Sequence, residues 1–413
     1  MVANMYKFLI KLAYVNSMAS NMMLRAIRYL TGYRLSFSNH PLSSMESGKI
    51  PDGIILRRAI RAVTTAPRFR TNDDAQSCEV HTPDILLSTF RNAWVCGTSS
   101  SVVLENGPAF LDYISTANDW KYDYAAGHLV SHRRDTAIVK CRNPRQVDRG
   151  IFFAGCGAFN YYHFLTEIVA KAEFLPELPA ELAEYPLLVS EDAVLTESFR
   201  DILALYAPNR ELTVLRAGFS YQVARLAYIN SPNVLPINMR EGHSLTLSDV
   251  AIDPRSLDYL RRVALDASQN IRPRIRSPPT RLFLRRSGLR RNYNQNPAEE
   301  ALARRGFVGI NLEAHSFLEQ VELMQNAEVI VGPTGAAWTN LLFCSPRTKA
   351  LCWMATESGE FPVYSTIAKF AGVDLLYMTY ISSARSTHDL YSKDYVLDVG
   401  QLLVRLDGIG IRE

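Results

Sequence analysis

The sequence predicts an α/β fold made of two Rossmann-like lobes that face a cleft. From residue 80 onwards, short apolar segments rich in β-branched residues alternate with segments of helical length, and such alternation is typical of parallel βαβ units. A stretch with three prolines and three arginines, residues 271–280, interrupts the alternation and is predicted to link the lobes. A chain of 413 residues with 47% hydrophobic residues can fill the cores of two such lobes.

Three regions are predicted along the chain. Residues 1–79 form a basic helix and a loop-rich segment, residues 80–270 the N-terminal Rossmann-like lobe, and residues 271–413 the C-terminal Rossmann-like lobe. In the N-terminal lobe the predicted strands are 101–104, 151–154, 187–189, 212–215 and 224–229, and the predicted helices are 161–174, 196–205 and 254–269. In the C-terminal lobe the predicted strands 282–284, 307–310, 329–331, 350–354 and 375–377 alternate with helices 297–305, 317–326, 336–343 and 362–371.

The first 30 residues are basic and apolar. They contain Lys7, Lys11, Arg25 and Arg28 and no acidic residue. Their longest apolar run is too short to span a bilayer, and no signal-peptide pattern is present. Two interpretations are open: a basic amphipathic helix that lies on an anionic membrane surface, or a terminal helix that packs on the protein or frays.

Charge and cysteine spacing argue against several classes of protein. The formal net charge of +4 is too small for a polycation of this length. The six cysteines are scattered without a C-x-x-C pair or zinc-ligand spacing, which indicates free cytosolic thiols. Because no D-x-D or H-E-x-x-H motif is present either, no metal site and no cofactor are predicted.

Cations concentrate at the start of the C-terminal lobe. Eight arginines lie between Arg272 and Arg291, and no acidic residue interrupts them. Arg285, Arg286 and Arg291 follow a predicted strand, and guanidinium groups suit bidentate contacts to phosphate. The arginines of the link 271–280 are interpreted as a solvated basic surface. A nucleic-acid platform is disfavoured because aromatic residues are not interleaved with the cluster and the total charge is low.

A second group of polar residues follows the predicted strand 151–154. A glycine-flanked turn leads into a predicted helix, on which Asn160, His163 and Glu167 are spaced i, i+3 and i+7 and share one face. A helix N-terminus disfavours imidazolium, so His163 is expected to be neutral and able to accept a proton. Glu167 is expected to orient the ring or to stabilise its charged form. A lone histidine on a helix is more often structural, and spacing alone leaves that alternative open.

A turn of small residues follows the predicted strand 329–331. The backbone N–H groups of Thr334, Gly335 and Ala336 and the Thr334 hydroxyl are expected to face a diphosphate at the start of the next helix. The turn is neither a Walker A loop nor a G-x-G-x-x-G motif. The alternative is a helix start whose small residues permit close packing against the sheet.

Several blocks of the sequence, in order, resemble glycosyltransferase family 61, whose bacterial members include capsular and lipopolysaccharide sugar transferases. The family pattern Asn-Tyr-x-His-Trp with an acid after it is matched by residues 160–164 and Glu167. The pattern Ala-x-Val-Ile-Val-Gly-x-His-Gly-Ala-Gly-x-Thr-Asn is matched from Ala327 to Asn340, and the arginine-rich strand end matches between these blocks. Two residues depart from the patterns, since Thr334 stands in place of histidine and Phe164 in place of tryptophan.

The resemblance implies a two-lobe glycosyltransferase of the GT-B type with an inverting, metal-independent mechanism. It implies a nucleotide-sugar donor on the C-terminal lobe and a polysaccharide or lipid-linked glycan acceptor on the N-terminal lobe. His163 and Glu167 are the expected catalytic residues, either of which is open as the base, and Asn160 and Tyr161 are the expected acceptor-side residues. The donor site is expected to comprise Arg285, Arg286, Arg291, Thr334, Gly335, Ala336 and Asn340.

The sequence also suggests a cellular setting. Because no signal anchor is recognised, a bacterial cytoplasmic enzyme of capsular polysaccharide or lipopolysaccharide biosynthesis is favoured, peripheral on the inner membrane if residues 1–30 bind lipid. One alternative is a catalytically silent protein that binds a nucleotide or a sugar with the same fold, which donor turnover distinguishes. A nucleic-acid binder is the other alternative, and it predicts a steep salt dependence of affinity.

Overall fold

The computed structural model describes residues 35–45, 49–50, 53–71, 73–112, 127–132, 135–236, 245–270, 274–288, 290–384 and 387–412. The basic helix expected in residues 1–30 lies outside the described residues, so it stays a prediction. Within the described part of the chain, no helix is long and apolar enough to cross a membrane.

The described elements are eighteen strands and a set of short helices. The strands are β1 Leu35–Ser44, β2 Ile54–Arg57, β3 Arg61–Thr65, β4 Ser77–His81, β5 Ile85–Val95, β6 Val102–Leu104, β7 Ala109–Leu111, β8 Leu129–His132, β9 Thr136–Arg142, β10 Arg145–Phe153, β11 Leu187–Ser190, β12 Leu212–Leu215, β13 Tyr221–Ile229, β14 Arg281–Leu284, β15 Val308–Ile310, β16 Val329–Pro333, β17 Lys349–Ala355 and β18 Asp374–Tyr380. The α-helices are Asp192–Leu195, Glu197–Tyr206, Pro254–Gln269, Gln295–Ala303, Phe317–Asn326, Val363–Ala371, Thr387–Ser392 and Val399–Gly408. The other helices are the π-helix His163–Ile168 and the 3-10 helices Val169–Glu177, Ala180–Leu182, Leu247–Asp249, Leu312–Ala314, Ala336–Phe343 and Thr356–Ser358.

The C-terminal sheet is parallel throughout. Its order is β15-β14-β16-β17-β18, and all five strands predicted for this lobe are confirmed. Strands β14, β16 and β17 are nearly continuous buried apolar runs, as expected for a sheet whose two faces are both covered. The chain passes from β14 to β15 on one side and then to β16 on the other. Ligands of open parallel sheets bind at the carboxyl ends of the strands where the order reverses in this way, which here is the end of β14 and β16.

The N-terminal sheet is larger and mixed. It has eleven strands, ten of which follow the order β12-β11-β10-β13-β5-β6-β7-β1-β9-β8 while β2 pairs with β5. Strands β12, β11, β10 and β13 form one parallel set. Strand β1 pairs with β7 parallel, and β5 pairs with β13 antiparallel. The mixed α/β class is therefore confirmed. Within the N-terminal sheet the expected Rossmann-like alternation applies only to the four-stranded parallel set, and the division into two lobes stays a prediction.

The expectation of a loop-rich segment within residues 1–79 was wrong. This stretch contributes β1, β2 and β3, of which β1 and β2 belong to the large sheet. The hairpin β3-β4 instead lies against the C-terminal half, where the Thr65 amide donates to the Thr366 hydroxyl at 3.0 Å and Arg68 pairs with Asp374. These strands are stabilised by partners far along the chain, and the local pattern of apolar residues does not predict such pairing.

One apolar core joins the two sheets. Ile151 of β10, Leu257 of the helix Pro254–Gln269 and Ile330 of β16 are fully or almost fully buried in the same cluster. The helix Pro254–Gln269 begins as predicted, with Asp253 as its N-cap accepting from the Arg255 amide and Pro254 at the first turn. The carboxyl ends of β10 and β14 are therefore held in a fixed relation by packed side chains.

The helix predicted at 161–174 is not an α-helix. It consists of the π-helix His163–Ile168 and the 3-10 helix Val169–Glu177. The Thr166 hydroxyl donates to the Tyr162 carbonyl at 2.7 Å, and such side-chain bonds compete with the regular backbone ladder. The helix predicted at 336–343 is likewise a 3-10 helix. Single π turns are frequent at functional sites.

Candidate active site

A cavity of about 610 Å³ lies between the carboxyl ends of the two parallel strand sets. The turn after β10 contributes one wall, and the loops after β14 and β16 contribute the opposite wall. The residues of these two walls are Gly157, Phe159, Asn160, Tyr162 and His163 on one side and Arg286, Gly288, Arg290, Arg291, Thr334, Gly335 and Ala336 on the other. The cavity therefore brings together two segments that lie more than 100 residues apart in the sequence.

His163 and Glu167 form a pair at the wall of the cavity. The Nδ1 atom of His163 lies 2.9 Å from Oε2 of Glu167, and the two side chains are 10% and 15% exposed. An ionised Glu167 accepts from Nδ1–H, which leaves Nε2 of the ring as a proton acceptor. The other carboxylate oxygen, Oε1, is buried and has no hydrogen-bond partner among the described residues.

Asn160 and Tyr161 precede this pair but play different parts. Asn160 lines the cavity, and its Oδ1 accepts from the Tyr162 amide at 3.0 Å, which fixes the turn. The hydroxyl of Tyr161 instead donates to Oδ1 of Asn340 at 2.7 Å, and Nδ2 of Asn340 donates to Gln320 at 3.2 Å. Tyr161 and Asn340 thus make a hydrogen-bonded bridge between the two halves, and neither is among the residues that line the cavity.

Arg286 faces the cavity from the end of β14. Its guanidinium donates to the carbonyl oxygen of Thr334 at 2.7 Å, while its buried Nε has no hydrogen-bond partner in the described part of the chain. Burial and the neighbouring charge of Arg291 lower the pKa of Arg286. A buried cation with an unused donor is costly unless an anion compensates it, so the side chain is suited to bind one.

Arg290 and Arg291 extend the cationic wall. Arg291 adopts a left-handed backbone conformation with φ 54° and packs its guanidinium 5.7 Å from the ring centroid of Tyr391. Arg290 lines the cavity as well and is exposed. With Arg286, these residues place three guanidinium groups around one volume, a composition that favours a phosphate-bearing ligand.

The turn after β16 is close to the sheet and to Arg286. A Cβ atom added to Gly332 would lie 2.8 Å from Cβ of Leu284, so glycine allows β14 and β16 to approach here. Gly335 precedes the 3-10 helix Ala336–Phe343, whose first backbone N–H groups have no partner within the helix. Thr334, Gly335 and Ala336 all line the cavity, and their predicted role around a diphosphate stays a prediction.

Arg285 points away from this volume. Its Nε lies 3.2 Å from Oε2 of Glu299, and it is not among the residues that line the cavity. Successive side chains of a strand project to opposite sides, so Arg285 and Arg286 separate although they are neighbours. The structure therefore places five of the seven expected donor residues at the cavity and places Arg285 and Asn340 elsewhere.

Sequence reasoning missed several residues that line the cavity. Phe159, Phe361, Tyr364 and Tyr391 supply an aromatic surface, and Glu357 adds a carboxylate next to it. Glu357 follows β17, and its position at a strand end is the signal that could have identified it. The aromatic residues come from loops and helices and carry no pattern of their own. Among the described residues, no group of three or more His, Cys, Asp or Glu side chains is placed to hold a metal ion.

One part of the chain matches a known protein family. Residues 161–351 match the family model described as Glycosyltransferase 61, a range that begins at the His163 turn and includes the arginine loop and the turn after β16. The chain is a glycosyltransferase. The matched part of the chain belongs to glycosyltransferase family 61. No match to a curated protein was found.

Proposed function

We propose that this protein is an inverting, metal-independent glycosyltransferase that moves a sugar from a nucleotide-sugar donor to a growing surface polysaccharide or a related glycan. The observation that carries the proposal is a cavity lined by both His163 and Arg286. His163 is paired with Glu167, and Nε of Arg286 has no hydrogen-bond partner among the described residues. A proton acceptor and an anion site on opposite walls are what a displacement at an anomeric carbon requires.

In the proposed reaction, His163 is the base. Its Nε2 accepts the proton of an acceptor hydroxyl while the hydroxyl oxygen forms a bond to the anomeric carbon of the donor. The bond from that carbon to the diphosphate oxygen breaks, and its electron pair leaves with the diphosphate. Attack from the face opposite the leaving group inverts the anomeric centre.

The leaving diphosphate is the proposed ligand of the cationic wall. Arg286, Arg290 and Arg291 neutralise the charge that develops on it, a role that a metal ion serves in other transferases. The N–H groups of Gly335 and Ala336 add donors at the start of their helix. The aromatic residues of the cavity support the sugar and acceptor portions, since flat apolar surfaces with a few polar groups are typical of small-molecule sites.

The division of labour between lobes is part of the proposal. Residues 80–270 would supply the acceptor side and residues 271–413 the donor side of a GT-B type cleft, with residues 1–79 preceding them. The cavity supports this division because His163 follows β10 of the N-terminal sheet, whereas the arginines follow β14 of the C-terminal sheet. A role in capsule or lipopolysaccharide synthesis at the cytoplasmic face of the inner membrane is proposed on the family and on the basic residues 1–30.

Two variants test the role of the base. We expect His163→Ala to lower turnover by about 10²- to 10⁴-fold at saturating donor, the usual contribution of positioned acid–base catalysis, with the donor dissociation constant unchanged. Glu167→Gln keeps a hydrogen-bonding group and should lose less. Turnover is measured with radiolabelled donors and a glycan acceptor, and binding by calorimetry.

The turnover of the two variants shows whether His163 or Glu167 is the base. If His163→Ala retains near-normal turnover, the base lies elsewhere. If Glu167→Gln loses more than His163→Ala, the carboxylate is the base and the imidazole only orients it. Donor binding without turnover in the wild-type protein would favour a silent binding protein of the same fold.

A further inference from the structure

We propose that Tyr161 is a positioning residue for the proposed transfer: through Asn340, its hydroxyl fixes the turn that carries His163 relative to the turn that forms part of the anion site. The inference rests on the proposed function, in which His163 is the base and the arginine wall binds the leaving diphosphate. It assigns a role to a tyrosine that is not among the residues that line the cavity.

Tyr161 begins a chain of hydrogen bonds that crosses from one half of the protein to the other. Its hydroxyl donates to Oδ1 of Asn340 at 2.7 Å. Nδ2 of Asn340 donates to Oε1 of Gln320 at 3.2 Å, and Nε2 of Gln320 donates to the carbonyl of His315 at 3.0 Å. Asn340 and Gln320 are only 1% and 3% exposed. Because bulk water does not reach these amides, each depends on its neighbours in the chain for its hydrogen bonds.

The Tyr161 end of this chain lies next to the base. Tyr161 precedes His163 by two residues, and its ring packs near Phe199, with the two ring centroids 6.3 Å apart. Asn160 and Tyr162, on either side of it in the sequence, line the cavity. The Tyr161 hydroxyl therefore acts on the His163 turn from outside the cavity and does not compete with a ligand for that space.

The Asn340 end lies next to the anion site. Asn340 belongs to the 3-10 helix Ala336–Phe343, whose first residue lines the cavity. Nε1 of Trp338 donates to the carbonyl of Pro333 at 2.8 Å, which fixes this helix to the end of β16. The hydrogen bond from Tyr161 therefore joins the turn that carries the base to an element that is fixed to the turn of the anion site.

A displacement between the two turns should affect the chemical step and not the binding of the nucleotide. The base must lie on the side of the anomeric carbon opposite the leaving group, and a misplacement of about 1 Å can reduce a rate by about 100-fold. The proposed diphosphate contacts all come from one wall of the cavity, which the loops after β14 and β16 form. Loss of the Tyr161 hydroxyl should therefore lower turnover and leave nucleotide affinity unchanged.

The first test is Tyr161→Phe, which removes one oxygen atom and keeps the ring that packs near Phe199. We expect turnover at saturating donor to fall by about 10- to 100-fold and the dissociation constant for uridine or guanosine diphosphate to change by less than about twofold. Tyr206→Phe is the matched control, because its buried hydroxyl donates to the carbonyl of Leu260 and neither residue lines the cavity. The control should keep wild-type turnover, and an equal loss of turnover in both variants overturns the inference.

A double-mutant cycle with His163→Ala separates positioning from a general loss of structure. If Tyr161 acts by placing the imidazole, Tyr161→Phe has no base left to displace in the His163→Ala background. The double variant should then turn over about as fast as His163→Ala alone. If the hydroxyl only stabilises the fold, the same fold-reduction should appear in both backgrounds, and that result overturns the inference.

A readout independent of activity distinguishes this inference from the proposed reaction. Crystal structures of the wild type, Tyr161→Phe and Tyr206→Phe with the same nucleoside diphosphate give the distance from Nε2 of His163 to the terminal phosphate oxygens. We expect this distance to change by about 1 Å in Tyr161→Phe and to stay unchanged in Tyr206→Phe. An unchanged distance in Tyr161→Phe overturns the inference. A changed distance in a protein that transfers no sugar would instead uphold the link between the two turns and overturn the proposed reaction.

Discussion

Replacing Arg286 with methionine should separate ligand affinity from stability. Among the described residues, this partly buried guanidinium makes one hydrogen bond, to the carbonyl of Thr334 at 2.7 Å, and its buried Nε makes none. Its strongest charged neighbour is Arg291, and burial and that like charge lower the pKa of Arg286. Holding this cation without a compensating anion therefore lowers the stability of the ligand-free protein, a common feature of binding sites.

The expected magnitudes follow from these contacts. Losing the bond to the Thr334 carbonyl costs about 1 kcal/mol, and removing a poorly compensated cation offsets that cost, so the free energy of unfolding should change by less than about 1 kcal/mol. A charged hydrogen bond to a phosphate contributes about 1.5–3 kcal/mol, which corresponds to about 10- to 150-fold in the dissociation constant. Affinity should therefore fall far more than stability.

Calorimetry with nucleoside diphosphates and urea unfolding of the same samples measure the two quantities. Arg285→Met is the matched control, because Arg285 is adjacent in sequence but pairs with Glu299 and does not line the cavity. It should leave the affinity unchanged. Equal affinity in wild type and Arg286→Met, or an equal loss in both variants, would refute the assignment of the anion site.

Two further predictions concern stability. Gly332→Ala would put a Cβ atom 2.8 Å from Cβ of Leu284. Forcing β14 and β16 apart should lower the free energy of unfolding by about 1–3 kcal/mol. Gly288→Ala is the control, because its added atom meets nothing within 4 Å, and an unchanged free energy of unfolding in Gly332→Ala would contradict the argument. Burial, with the charges of Lys140 and His40, lowers the pKa of His128 from 6.5 to about 3, so the unfolded chain takes up this proton first as the pH falls. The contribution of neutral His128 to the free energy of unfolding is fully present above pH 6.5 and is lost as the pH falls towards 3. Between pH 6.5 and 5 the free energy of unfolding should decrease by about 2 kcal/mol. In His128→Gln, the free energy of unfolding measured with urea should no longer show this decrease between about pH 6.5 and 5. The same pH dependence in the variant and the wild type would contradict the assignment to His128.

The sequence alone determined the C-terminal parallel sheet and which residues stand at its strand ends. Buried parallel strands are nearly continuous apolar runs, so β14, β16 and β17 are visible without tertiary information. Because parallel strands end on one edge, it also followed that Arg286 and the turn at Thr334 would meet. The spacing of His163 and Glu167 predicted their contact, which survives in a π-helix because residues four apart remain neighbours.

Tertiary structure decided which of these residues face the cavity and how they are charged. Arg285 and Arg286 are alike in sequence, and only the orientation of β14 in its sheet shows that Arg286 faces inward. Tyr161 and Asn340 look like ligand contacts in a sequence pattern, yet Tyr161 donates a hydrogen bond to Asn340 at 2.7 Å across the two halves of the chain. The antiparallel strands before β10 pair with partners far along the chain. Burial and such non-local contacts depend on the whole chain, so no local pattern of residues encodes them.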